Sequence, residues 1–107
     1  MDSLIQITTT SDDREELERI ASQLVELRLA ACCQISGPIT SWYTWNGQIE
    51  SASEWTCVVK TVKHCYSDVE DLITRLHHYD EPQIIALEIC LASQGYQNWV
   101  RQIVKQG

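Results

Sequence analysis

Two adjacent histidines, His77 and His78, are followed within three residues by two carboxylates, Asp80 and Glu81, in a chain of 107 residues that has only three histidines. Imidazole nitrogen and carboxylate oxygen together suit copper(II) or zinc, and copper(II) is held tightest among the first-row divalent ions by a given nitrogen and oxygen set. His77, His78 and Asp80 are therefore the candidate metal ligands. Adjacent side chains at a helix end diverge, so one ion taking both imidazoles needs a further ligand from elsewhere. The same pair also has a structural use, because a histidine interacts favourably with a helix C-terminus.

Lys60 interrupts an apolar strand pattern, either as an exposed charge that discourages edge pairing or as a group in a cleft that takes a small anion. Trp42, Tyr43 and Trp45 form an aromatic cluster. A base-stacking platform would need interleaved Lys or Arg, and none is present, so packing or a subunit contact is the expected role. Five cysteines (Cys32, Cys33, Cys57, Cys65, Cys90) with no C-x-x-C pair are neither a zinc ribbon nor a disulfide framework. Cys57 and Cys90 lie in apolar runs and are expected to be buried, reduced thiols in a reducing compartment. Soft copper(I) ligation by the thiols is left open. There is no P-loop, nucleophile elbow or H-E-x-x-H, so neither an enzyme nor an organic cofactor is expected.

The formal net charge of −7 argues against a nucleic-acid partner, whose affinity rests on Lys and Arg neutralising phosphates, and equally against an anionic membrane surface. Met1-Asp2-Ser3-Leu4 lacks the basic start and long apolar core of a secretory signal. No stretch approaches the roughly 20 apolar residues of a membrane span. A soluble, cytoplasmic protein is the expectation.

These residues must be positioned by a single domain, residues 1–107, since the length leaves no room for a linker. Ser3 to Thr9 is β-branched and strand-like. Asp12 with Glu15 resembles a capping box, and Leu17, Ile20, Ala21, Leu24 and Leu27 continue at helical spacing to about Arg28. Ala30 to Ile35 is a short apolar stretch broken by Gly37-Pro38. Ile39 to Trp45 resumes as a strand, Asn46-Gly47 predicts a tight hairpin turn, and the return strand runs from Ile49 to Val62. Ser67 with Glu70 predicts a second capping box, for a helix that stops near His77. Ile84 to Leu91 reads as a well-buried strand, and a short helix follows Gly95.

The order strand, helix, strand, strand, helix, strand, helix predicts an α+β fold, the ferredoxin-like split βαβ arrangement β-α-β-β-α-β with a C-terminal helix. Two helices cannot cover the long aromatic hairpin as well as the sheet, so some of Trp42, Tyr43, Trp45 and Trp55 are expected to meet another subunit.

Leu29-Ala30-Ala31-Cys32, the run from Thr40 to Glu50, Glu54 with Lys60-Thr61, the run from His77 to Ala86, and Tyr96-Gln97-Asn98-Trp99 together resemble the CutA divalent-cation-tolerance family in order and spacing. The resemblance implies a homotrimer of ferredoxin-like protomers, similar in shape to the PII signalling proteins, and a link to divalent metal ions, copper above all. It implies an inter-subunit cleft that would gather Tyr43, Trp45, Lys60, His77, Tyr79 and Trp99. The chain departs from the family pattern at His78, Asp80 and Gln83, where proline and two glutamates are more usual. Some members carry a cysteine and a histidine where this chain has Thr8 and Leu76. A small-molecule-sensing trimer and a partner-docking structural trimer related to PII proteins are the alternatives; the short Asn46-Gly47 hairpin lacks the long loop of PII signalling.

Overall fold

The computed structural model describes residues 2–107. Four strands, β1 (Leu4–Ser11), β2 (Cys32–Trp45), β3 (Gln48–Val62) and β4 (Ile85–Glu88), form one antiparallel sheet in the order β2-β3-β1-β4. Helix α1 (Arg14–Glu26) carries the chain from β1 to β2 across β3, and α2 (Tyr66–Leu76) carries it from β3 to β4 across β1. Helix α3 (Gln94–Ile103) closes the chain.

Side-chain alternation decides which face of the sheet is covered. Ile5, Ile7 and Thr9 of β1 stand opposite Thr61, Val59 and Cys57 of β3, and all six are almost wholly buried. Leu17, Ile20 and Leu24 of α1 and Val69, Leu72 and Ile73 of α2 supply the other half of this core, each helix having one apolar stripe at a period of 3.6 residues. Val100 and Val104 at the C-terminal end join the same cluster.

The capping residues differ from the sequence expectation by one position or altogether. Asp13, not Asp12, caps α1, its carboxylate accepting from the Glu16 N–H at 3.2 Å. Glu16 does not return the bond as a capping box would, because its carboxylate is committed elsewhere. No side chain caps α2; a turn of 3-10 helix at Lys63–Cys65 leads into it, and Ser67 lies inside the helix. Leu76 ends α2, with His77 as its C-cap, where the sequence placed the stop.

The expected break at Gly37-Pro38 is instead a bulge within a continuous β2, where the register with β3 shifts between Ser36 and Ile39. Gly37 has φ +141°, and a Cβ there would stand 2.8 Å from Trp55 Cδ1. The Asn46-Gly47 turn is as predicted, with positive φ at both residues (52° and 74°) to match the twist of the strands.

The last strand departs furthest from expectation. In place of a well-buried Ile84 to Leu91, β4 has four residues, all exposed, paired only with β1 at the sheet edge. Cys90 beyond it is exposed, whereas Cys57 is buried as expected. A continuous apolar run signals a strand whose two faces both need cover, and among the described residues the helices of this chain cover neither face of β4. The hairpin is bare in the same way. β1 pairs with β3 only from Val62 back to Trp55, so β2 and β3 continue past that point as a two-stranded ribbon. Trp42, midway along the ribbon, is 72% exposed and Ile49, near its tip, 78%. No described helix is long and apolar enough to cross a membrane.

The bulge makes a direct prediction. Gly37→Ala forces a side chain into a φ that L-residues avoid and against Trp55, so a loss of about 1–3 kcal/mol is expected from the denaturant midpoint. An unchanged midpoint would show that the bulge can relax.

Candidate functional site

One end of the molecule collects the chain segments that carry the candidate chemistry: the end of β1, the start of α1, the loop after α2 and the base of the ribbon. Their link is Glu16, which is 3% exposed. Its Oε2 accepts from the Ser11 hydroxyl at 2.8 Å, and its Oε1 accepts from the His78 N–H at 3.0 Å. The His78 ring adds Nδ1 at 2.9 and 3.0 Å from the two oxygens, and its Nε2 reaches Asp12 Oδ1 at 3.1 Å. The bond to Glu16 raises His78 above its ordinary value of 6.5, reinforced by the charges of Glu16, Asp12 and Asp13.

His77 is held by the backbone. Nε2 donates to the Thr10 carbonyl at 2.7 Å, which leaves the Nδ1 lone pair to accept the Tyr79 N–H at 3.1 Å. This arrangement is the neutral tautomer with its proton on Nε2. The 3.3 Å approach of His77 Nδ1 to Glu16 Oε2 is then a close contact rather than an ion pair. Tyr79 continues the chain of bonds, its hydroxyl accepting from the Asp12 N–H at 2.9 Å and donating to Glu54 Oε2 at 2.5 Å. Burial, and then the Glu54 carboxylate, push the Tyr79 hydroxyl well above its usual range.

Beside this network lies a cavity of about 600 Å³. Its aromatic wall is Trp42, Tyr43 and Trp45 of the ribbon. Four carboxylates, Glu50, Glu54, Asp80 and Glu81, also line it, with Tyr79 and Thr10 at its inner side. No Lys, Arg or His is among its lining residues. Glu54 is 6% exposed and, among the described residues, only Tyr79 bonds to it, through one of its two oxygens.

The predicted site residues therefore separate into groups. His77 and His78 come together, joined by the third ligand their divergence called for. That further group is Glu16, which the sequence reading did not single out. Donor atoms of Glu16, His77 and His78 lie within 4.8 Å of one another, a spacing a cation could use. Their lone pairs, however, are engaged by Ser11, the Tyr79 N–H and the His78 N–H, so an ion there must displace those bonds. Asp80 is not in this group and lines the cavity with Tyr43, Trp45 and Tyr79. Lys60 is elsewhere: it pairs with Gln6 across the strands and donates to Gln34 Oε1 at 3.1 Å. Trp99 packs on Tyr96 of α3, ring centroids 5.7 Å apart, and does not line the cavity. Gln83, the position where a carboxylate is more usual, does line it.

Residues 5–103 match the family described as CutA1 divalent ion tolerance protein. The chain belongs to the CutA family. The divalent-cation tolerance protein CutA of Archaeoglobus fulgidus is 38% identical over 99 residues, spanning 92% of this chain and 96% of the relative. The CutA of Thermus thermophilus is 36% identical over 102 residues, spanning 95% and 97%. A solved structure of the Thermus thermophilus protein superposes with a TM-score of 0.92 at 33% identity, covering 95% of this chain and 99% of that one. CutA1 of Oryza sativa superposes at 0.94 with 26% identity, covering 99% and 97%. The four-stranded antiparallel sheet with three helices thus matches CutA structures over 95% to 99% of the chain.

The His78 to Glu16 bond predicts a pH dependence with a definite sign. A histidine raised in the folded state contributes stability that is fully present below its unfolded value, near 6.5, and is lost as pH rises through the higher folded value. Denaturant midpoints measured from about pH 6 to about pH 9 should fall in the native protein and fall less in His78→Gln. His64, which is also raised, chiefly by its bond to the Lys105 carbonyl, contributes to the remaining slope. Equal slopes in both proteins would remove His78 from the account.

Proposed function

We propose that this CutA-family chain serves divalent-cation tolerance by binding cations in the acidic cavity, as a cytoplasmic, non-enzymatic homotrimer of ferredoxin-like, PII-like protomers. The observation that carries the reading is the lining itself, four carboxylates with no positive side chain among them. A concave site lined by one sign of charge concentrates counter-ions. Two of its curated relatives are described as divalent-cation tolerance proteins.

The donors that remain open are the oxygens of Glu50, Glu54, Asp80 and Glu81. Carboxylate and water suit harder divalent ions, whereas copper and zinc gain from an imidazole. Of the three ligands expected from sequence, Asp80 is the one in the cavity. His77 and His78 then act by holding the loop that presents Tyr79 and Asp80. Copper remains a proposed ligand alongside harder divalent ions.

Assembly is supported by the bare surfaces. Trp42 and Ile49 on the ribbon, and Leu87 at 63% exposure on the edge strand, are large apolar side chains left in water by one protomer. Both outer strands also present unpaired backbone, which a second copy can cover.

A second reading rests on the cavity volume. About 600 Å³ exceeds the needs of one ion and falls within the roughly 300–1,000 Å³ range of small-molecule sites. A small-molecule-sensing or partner-docking trimer is the alternative this supports.

Calorimetric titration of the reduced, metal-free protein with copper(II), zinc and manganese(II), its mass followed by light scattering, separates these readings. The cation reading predicts saturable binding to a trimer, weakened about tenfold or more in Asp80→Asn and in Glu54→Gln by loss of a charged contact worth about 1.5 kcal/mol. Binding that both variants leave intact, or no saturable binding at all, would turn the account towards a small-molecule ligand or a docking role.

A further inference from the structure

A second donor cluster lies under α1, away from the carboxylates. Cys57 of β3 is fully buried and Cys33 of the edge strand β2 is half-buried. In the ladder Cys33 faces Val59 and Cys57 faces Ile35, so the two cysteines are diagonal neighbours on the helix-covered face of the sheet. Diagonal positions on adjacent antiparallel strands lie about 7–8 Å apart, a span that two thiols can bridge through one shared ion. On the other side of Cys57, directly across from it in β1, is Thr9. Its hydroxyl is the one buried side-chain polar atom among the described residues that has no hydrogen-bond partner. An orphaned donor inside a core needs an explanation.

We propose that Cys33 and Cys57 form a site for a thiophilic monovalent d10 cation, copper(I) or silver(I), with the Thr9 hydroxyl donating to the Cys57 sulfur once it is charged. Two soft sulfurs suit such an ion, whereas oxygen donors do not. On binding, each S–H bond breaks, each sulfur forms a bond to the ion, and one proton leaves each sulfur for solvent. No electron moves, because the ion arrives already monovalent. The product carries one negative charge in a buried place, and the Thr9 hydroxyl is the donor placed to meet it.

The titration of the thiols agrees with their proximity. Each thiol feels the other: Cys33 is pushed up by Cys57 and by burial, and Cys57 is drawn down by Cys33. This site shares no residue with the carboxylate cavity, so it stands or falls independently of the cation reading there.

The test uses the reduced protein without oxygen, in a Cys32→Ser, Cys90→Ser background that removes Cys32 and the exposed Cys90. Copper(I) alone and silver(I) alone are titrated, with ultraviolet thiolate-to-metal absorption, native mass and proton release as readouts. One ion per protomer is expected, with a proton released from each sulfur. Adding Cys33→Ser should abolish that stoichiometric binding, and Thr9→Val should weaken it about tenfold, as expected for a lost hydrogen bond to a charged sulfur. Cys33 is only half-buried, so its serine variant decides the question even if Cys57→Ser does not fold. Unchanged binding in Cys33→Ser, or none in the starting background, would overturn the site. Unchanged affinity in Thr9→Val would overturn the role given to the hydroxyl.

Discussion

A carboxylate withdrawn from water must find charge and hydrogen bonds in the protein, or it costs several kcal/mol. Glu16 meets that demand through Ser11, the His78 N–H and the His78 ring. The three partners come from the end of β1 and from the loop after α2, while Glu16 itself belongs to the first turn of α1. One buried charge therefore fixes where two helices and a strand meet. The loop from His77 to Glu81 has no regular structure of its own, yet its direction is set by these bonds and by the grip of Thr10 and Tyr79 on the His77 ring. Tyr79 and Asp80 face the cavity as a consequence.

The ribbon supplies the opposite wall under a different constraint. Among the described residues it has no third strand and no helix beside it, and a two-stranded hairpin is marginal by itself in water. Its aromatic side chains must gain cover from the cavity, a ligand or another copy. Glu54 joins the two walls: it belongs to the ribbon base, and Tyr79 of the loop donates to it. Loop and ribbon are thus coupled through a single hydroxyl, and a change at either wall is felt by the other.

Local patterns were the legible part of this sequence. Helical spacing located α1 and α2, Asn46-Gly47 located the hairpin, and element order carried the strand topology, because each signal depends on residues near one another in the chain. Asp12 was read as the α1 cap in place of Asp13 because two acids in a row offer two equivalent frames, and only the placement of Ser11 separates them. β4 read as buried because an apolar run reports that cover is needed without saying whether the protomer provides it. Glu16 was missed for a related reason. Nothing local distinguishes a first-turn glutamate that faces solvent from one received by a histidine loop 62 residues away. Its place three residues after Asp13, the spacing of a capping box, was the one local signal at that position.

Amide hydrogen exchange in Glu16→Gln, compared with the native protein, tests this account most directly. Loss of the charge should speed exchange at the His78 and Tyr79 amides by about tenfold or more, as expected when a charge-assisted bond worth about 1.5 kcal/mol is weakened. Core amides of Ile7 and Val59 should keep their protection, and cation affinity at the cavity should fall together with the loop. Unchanged exchange at His78 and Tyr79, with unchanged cation affinity, would show that the buried carboxylate is not what positions the site.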